Sequence, residues 1–334
     1  MKNTQKIGNV KLKGRIFLSP IAGYTDVAFR TLCKRYGAAL VVTELISSNT
    51  LVNADLSTIQ QLKTSEEEKP LAFQLFGSDI NLILKASKII ENRCEILNIN
   101  MGCPAAAIVQ QGSGSALLEK PEHIGKIIKK LSTNLSIPIT IKIRAGISKE
   151  NINAVEIAKI AEKNGCSAIC IHPRTQKQGY KGDADWNIIK HIKESVSIPI
   201  IGNGGIVDEI SAKKMFNQTN CDFIMIGRAA IGNPMIFQRI NNYLKKGIID
   251  EKSQESIFVE KIRLFKEYHK LWQKHELSFV SLKDHAVSFF SGFPNASTHR
   301  GSINKIKDES ELMDYVGSLN QTDRNLHKYF INQI

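Results

Sequence analysis

The 334-residue sequence has no CxxC pair, no run of about 18 apolar residues, and no GxGxxG turn after its first strand-like segment. Each absence removes a class of protein. Six cysteines (Cys33, Cys94, Cys103, Cys166, Cys170 and Cys221) lie scattered. In a chain this long that pattern argues against a disulfide framework and against a zinc ribbon, and no metal is expected. Without a long apolar run, nothing is expected to span a bilayer. The basic N-terminus, MKNTQKIGNVKLKGR, lacks the apolar stretch and small-residue cleavage site of a signal peptide, so the cytoplasm is the expected compartment. A doubly wound dinucleotide-binding sheet would want the missing glycine turn, and the first strand runs instead into SPIAGYTD.

What is present is an ordinary globular composition with a basic excess. Hydrophobic residues make up 42% and the formal net charge is +13, which points to a polyanionic partner. Solubility alone is the plainer explanation of such a charge. Residues 250–334 hold 12 basic and 12 acidic residues, so the whole excess belongs to residues 1–249. Charge by itself does not locate a nucleic-acid surface.

Eight short apolar runs recur along residues 15–228: RIFLSP, ALVVTEL, LAFQLF, EILNIN, PITIKIR, AICIHPR, PIIGNG and FIMIGR. Each is continuous rather than alternating, as parallel strands covered on both faces should be. Amphipathic segments lie between most of them, with start signals at Asp79, Asn151, Asp185 and Asp208 and stops at Gly37 and Gly165. Eight β/α units in this length predict a (β/α)8 TIM barrel over residues 1–247. After residue 248 the strand runs cease. Long amphipathic segments, SQESIFVEKIRLFKEYHKLWQKHE and SFVSLKDHAVSFFSG, and shorter ones in ESELMDYVGSL and DRNLHKYFINQ predict a small all-α domain over 248–334.

Chemistry in such a barrel sits at the C-terminal ends of the strands, and that is where the polar residues fall. Ser19 to Gly23 end the first run, Thr43-Glu44 the second, and Gln74 lies near the end of the third. Asn98 and Asn100 lead into Met101-Gly102-Cys103-Pro104; Lys142 and Arg144, His172 and Arg174, Asn203, and Gly227-Arg228 complete the rim. Any one of these, Asn98 for instance, reads equally as a satisfied core side chain. All eight strand ends being polar on one rim implies a polar ligand in the mouth. Gly202, Gly204 and Gly205, followed by Gly227-Arg228, have the makings of a phosphate pocket. Lys142 and Gln74 carry the donors to hold a flavin ring, although Lys142 also reads as a rim ion pair. Cys103 sits in a turn between glycine and proline, where a thiol suits a proton donor beside a hydride acceptor. As a nucleophile it would need a base, for which His172 is the candidate.

These stretches resemble the tRNA-dihydrouridine synthases, particularly the bacterial B-type and archaeal branches. The resemblance is carried by SPIAGYTDVAFRTLCKRYGAALVVTEL, INMGCP with GSGSALL, ITIKIRAG, IHPRTQKQGYKGDADW, IGNGGI and IMIGRAAIGNP. It implies FMN bound at Pro20, Ile21, Ala22, Gln74, Lys142, His172, Asn203, Gly204, Gly205, Gly227 and Arg228. It implies Cys103 as the proton donor to C5 of uracil while hydride arrives at C6, with NADPH or NADH as reductant. Asn100 and Arg174 match positions that would hold the uridine, and Lys177, Lys283, His285 and Arg300 are the expected RNA contacts. The chain departs from the pattern at Gly205, where the family often carries Asp, and in SLKDHAVSFFSGFPNAS, which follows the C-terminal signature loosely. A monomer is expected. A flavin barrel acting on free pyrimidines and a tRNA-binding protein without catalysis remain the alternatives.

Overall fold

The computed structural model describes residues 6–55, 58–249 and 253–319; the helix expected in DRNLHKYFINQ lies outside them. Eight parallel strands close a barrel: β1 Ile16–Leu18, β2 Leu40–Ser47, β3 Leu71–Phe76, β4 Ile96–Met101, β5 Ile139–Arg144, β6 Ala168–His172, β7 Ile200–Asn203 and β8 Phe223–Ile226. All eight runs read from the sequence are there, in order. Closure is by β8 against β1, with Ile224 opposite Ile16 and Ile226 opposite Leu18.

The continuous apolar runs conceal a period of two that builds the site. Outward residues such as Ile16, Phe73, Ile99, Ile141, Ile169 and Ile224 pack under the surrounding helices. The alternate residues Phe17, Val42, Ala72, Ile96, Cys170, Ile201, Phe223 and Met225 fill the barrel interior as a separate cluster. Ile7 and Leu12, from the segment of the small hairpin Lys6–Ile7/Val10–Lys11, join that inner cluster and close its lower end. Higher on the same inward positions come Gln74, Asn98, Asn100, Thr140, Lys142, His172 and Asn203. The interior is therefore dry below and polar above.

The outer helices are α1 Val27–Arg35, α2 Ile80–Ile90, α3 Pro121–Asn134, α4 Ala154–Lys163, α5 Trp186–Ser195, α6 Glu209–Thr219 and α7 Ile236–Lys246. Asp79, Asp185 and Asp208 cap α2, α5 and α6 through their side chains. The start expected at Asn151 is displaced: Asn153 is the N-cap of α4, and Asn151 pairs in a hairpin with Gly146–Ser148. Gly247, at φ +73°, ends α7. Beyond it lie α8 Gln254–Lys274, α9 Phe279–Phe289, α10 Ala296–Lys305 and a helical segment at 309–319. Phe258, Ile262, Phe265 and Tyr268 of α8 belong to the same apolar cluster as the barrel's outer layer, so these helices dock on the barrel beside α1. No helix among the described residues is long and apolar enough to cross a membrane.

Candidate active site

The polar upper interior opens into a cavity of about 1130 Å³. Its wall takes Ser19 to Ala22 from the β1–α1 loop, Gln74, Asn100, Cys103, Lys142, His172, Asn203, Gly204, Gly205, Gly227 and Arg228 from the strand ends, and Lys261, Leu264 and Ser291 from the helical region. Every residue expected to hold the cofactor or to catalyse is on that wall, as are Asn100 and Arg174.

A chain of amides runs across β3, β4 and β5. Gln74 Nε2 donates to Asn98 Oδ1 at 2.7 Å, Asn98 Nδ2 donates to Thr140 Oγ1 at 2.9 Å, and Asn100 Nδ2 donates to Gln74 Oε1 at 2.9 Å. Asn98 is thus a satisfied support below the wall. The remaining oxygen of Asn100 accepts the backbone N–H groups of Gly102 (3.1 Å) and Cys103 (2.9 Å). Ser115 holds the Cys103 carbonyl through its N–H at 3.0 Å and its hydroxyl at 2.9 Å. A Cβ on Gly114 would come within 2.8 Å of that carbonyl. The loop is fixed on both sides, and the thiol sits half-buried at the cavity. The other five cysteines are buried, and desolvation pushes Cys94 and Cys166 up to about 12 and Cys170 up to about 11.

Cations crowd the rim. Arg144 Nε donates to Gly102 O at 2.9 Å, and its Nη1 donates to Thr175 O and Gly179 O at 2.9 and 2.7 Å. Arg174 donates twice to Gly182 O, at 2.7 and 3.0 Å. Between them they fold the 175–182 loop over the mouth. There the exposed ring of Tyr180 lies under the guanidinium groups of Arg228 (4.7 Å) and Arg144 (5.4 Å). His172 stands behind it, ring to ring at 6.1 Å. Burial first, then the charges of Lys142, Arg144, Arg174 and Arg228, lower its pKa to about 2, so the imidazole is neutral. Burial also lowers Lys142.

The wall suits an anionic, ring-bearing cofactor. Gly204 and Gly205 have φ +105° and +77°, and among the described residues their N–H groups donate no backbone hydrogen bond. A Cβ on Gly204 would meet the His172 ring at 3.1 Å, and one on Gly205 the Trp186 indole at 3.3 Å. Such a nest, with Arg228 beside it, is shaped for a phosphate. His172 Nδ1 is buried without a partner among the described residues, a polar atom whose cost a bound ligand would remove.

Comparison with known proteins agrees with this geometry. The family model described as Dihydrouridine synthase (Dus) matches residues 17–326. The chain belongs to the dihydrouridine synthase family. A probable tRNA-dihydrouridine synthase of Rickettsia bellii is 36% identical over 315 residues, covering 93% of this chain and 96% of its own length. The tRNA-dihydrouridine synthase B of Vibrio vulnificus is 42% identical over 243 residues, 72% of this chain and 76% of that one. Among solved structures, histamine dehydrogenase from Rhizobium sp. 4-9 shares the fold, with a TM-score of 0.57 at 14% identity over 80% of this chain and 50% of the other.

Within that family frame, four expected RNA contacts stand apart from the cavity. Lys177 is exposed on the 175–182 loop, outside the wall, and Arg300 is exposed on α10. Lys283 is half-buried, and its ammonium donates to the carbonyls of Asn304 and Ile306 at 2.9 and 3.0 Å, capping the C-terminus of α10. His285 is a correction: at 0% exposure it packs against Tyr24, Phe29 and Tyr268 and presents no surface for an RNA contact in this structure. Two further residues line the cavity: Arg144, read from the sequence only as part of the polar rim, and Tyr180. Arg144 shares the inward parity of Lys142, which was the signal available for it. Tyr180 lay inside the YKGDADW match, but its meeting with two arginines depends on loop closure.

Proposed function

We propose that this enzyme reduces the C5=C6 bond of uridine in the D-loop of tRNA to 5,6-dihydrouridine, with FMN as cofactor and NADPH, or NADH, as reductant. Cys103 carries the reading: it alone among the described cysteines opens onto the cavity that holds Lys142, Gln74 and the glycine nest. Gly204, Gly205, Gly227 and Arg228 would hold the FMN phosphate. Gln74, Lys142, His172 and Asn203 would meet the ring system, and Pro20 to Ala22 its edge. When bound, FMN supplies hydride to C6 of the uracil.

The chain's own residues then have defined tasks. Cys103 hands its thiol proton to C5 from a loop whose backbone is fixed by Asn100 and Ser115, so the donor is in place before the base arrives. An imidazole with a pKa near 2 cannot deprotonate that thiol at neutral pH, which supports the acid role over the nucleophilic one. Asn100 and Arg174 line the same cavity and would meet the uridine there, and the cationic rim suits its phosphates. A uridine stacked in folded tRNA must be extruded to reach this depth. Lys177 and Arg300 remain exposed candidates for backbone contacts. We place the activity in the cytoplasm and in a monomer, with residues 1–247 catalytic and 248–334 extending the RNA footprint.

The test is to purify the protein, record its flavin absorbance and determine the mass of the released cofactor. The reading requires FMN, bleached by NADPH without tRNA and reoxidised on adding unmodified tRNA. A colourless protein, or one reoxidised by free uracil or orotate but not by tRNA, would overturn it.

A further inference from the structure

The β1–α1 loop gives Ser19, Pro20, Ile21 and Ala22 to the cavity wall, and its shape is imposed from several directions. Within the loop, Thr25 Oγ1 accepts the Ile21 N–H at 3.0 Å. From β2, Glu44 Oε2 accepts the Gly23 N–H at 3.0 Å. From α1, Arg30, buried and paired with Glu68 at 2.6 Å, donates to Thr25 O at 2.6 Å. The other two anchors come from the helical region. His285 Nε2 of α9 lies 3.1 Å from Tyr24 O; a carbonyl can only accept, so Nε2 carries the proton and donates. Tyr268 of α8 donates its hydroxyl to Asp26 Oδ2 at 2.8 Å, while Asp26 Oδ1 caps α1 through Phe29 N–H at 2.8 Å.

His285 is an expensive way to fill this space. It is fully buried among aromatic rings, 4.1 Å from Tyr268 and 4.9 Å from Phe29, and its Nδ1 has no partner among the described residues. A phenylalanine would pack there without stranding a polar atom. What the imidazole adds is one Nε2–H shared between Tyr24 O at 3.1 Å, three residues past the cavity-lining Ile21, and Asp26 Oδ2 at 3.5 Å. Asp26 is bound into the same cluster. Burial opposes its charge, yet hydrogen bonds from His285, Phe29 N–H and Tyr268 hold its pKa below the usual carboxylate range.

We infer that His285 and Tyr268 are positioning residues for the flavin site: two helical-region side chains that hold the β1–α1 loop so that Pro20 to Ala22 stay against the cofactor. Flavin affinity then depends on helices outside the barrel. The inference rests on the flavin reading above and goes beyond it by giving the helical region a part in cofactor binding.

The test measures the FMN dissociation constant from the fluorescence of FMN released on diluting the holoprotein, alongside Tm. Three variants probe the anchors: His285→Phe, His285→Gln and Tyr268→Phe. Leu312→Ala, a cavity in the 309–319 helix, serves as the control for general destabilisation. His285→Phe and Tyr268→Phe should each weaken FMN binding about tenfold, equivalent to ~1.4 kcal/mol. His285→Gln, which restores a donor, should recover most of that loss, and Leu312→Ala should lower Tm with FMN affinity unchanged. The inference is overturned if both phenylalanine variants bind FMN like the parent, if glutamine fails to rescue, or if Leu312→Ala weakens FMN as much. A parent protein that binds no FMN would defeat the flavin reading and this inference together; a parent that binds FMN with indifferent variants would defeat the inference alone.

Discussion

Gly204→Ala is the substitution whose cost can be worked most directly from the geometry. Residue 204 has φ +105°, a conformation in which an L side chain costs about 1–3 kcal/mol. The new methyl would also stand 3.1 Å from Cδ2 and Nε2 of His172, so the ring must give by a few tenths of an ångström. His172 is buried and lines the cavity, so a displaced ring changes the wall proposed to hold the cofactor. Gly247→Ala separates the two effects: φ is +73° there and nothing lies within 4 Å of the added carbon, leaving backbone strain of about 1 kcal/mol. Differential scanning calorimetry should show Tm lowered by roughly 2–8 °C for Gly204→Ala. Fluorescence titration should show FMN bound at least about tenfold more weakly, a loss of ~1.4 kcal/mol, with Gly247→Ala unchanged in affinity. If Gly204→Ala matches Gly247→Ala in both measurements, the nest and the His172 contact do not shape the cofactor site.

Other expectations follow from the same geometry. Cys103→Ala should keep FMN and tRNA affinity but lose about 10²–10⁴-fold in single-turnover reduction of tRNA, the usual worth of a general acid; a normal rate removes the assignment. Lys283→Met, which uncaps α10, should lower Tm by a few degrees without changing tRNA affinity, whereas Arg300→Glu should leave Tm alone, weaken tRNA binding and reduce its salt slope by about one. Equal effects of the two on tRNA would place the RNA surface differently. For His172 the folded pKa of about 2 lies below the unfolded value near 6.5, so its contribution is complete above pH 6.5 and is lost as pH falls. Each pH unit below 6.5 then costs about 1.4 kcal/mol from this group, and His172→Asn should flatten the fall in Tm between pH 6.5 and 5; a curve of unchanged slope contradicts the shift.

The barrel was legible because each strand is buried on both faces, which leaves an unbroken apolar run with turn chemistry at its end. The cofactor wall was legible for a related reason. Only the upper inward positions can be polar without cost, so Gln74, Asn100, Lys142, His172 and Asn203 announce themselves at the strand ends. Local spacing could not place Asn153 over Asn151 as the α4 cap, because the hairpin from Gly146 that engages Asn151 is a tertiary arrangement. The helical region was less readable still. Lys283 and His285 look in sequence like a basic, RNA-facing pair, yet one closes a neighbouring helix and the other is sealed against α1. What a side chain on an amphipathic helix touches is decided by how the helix docks.

The most direct measurement is dihydrouridine itself. Incubating the purified enzyme with NADPH and unmodified tRNA, then cutting the tRNA with a base-specific nuclease and weighing the fragments by mass spectrometry, should show a two-dalton gain in a D-loop fragment that requires both reductant and enzyme. A fully loaded FMN protein that oxidises NADPH in the presence of tRNA and leaves every uridine unreduced would contradict the account.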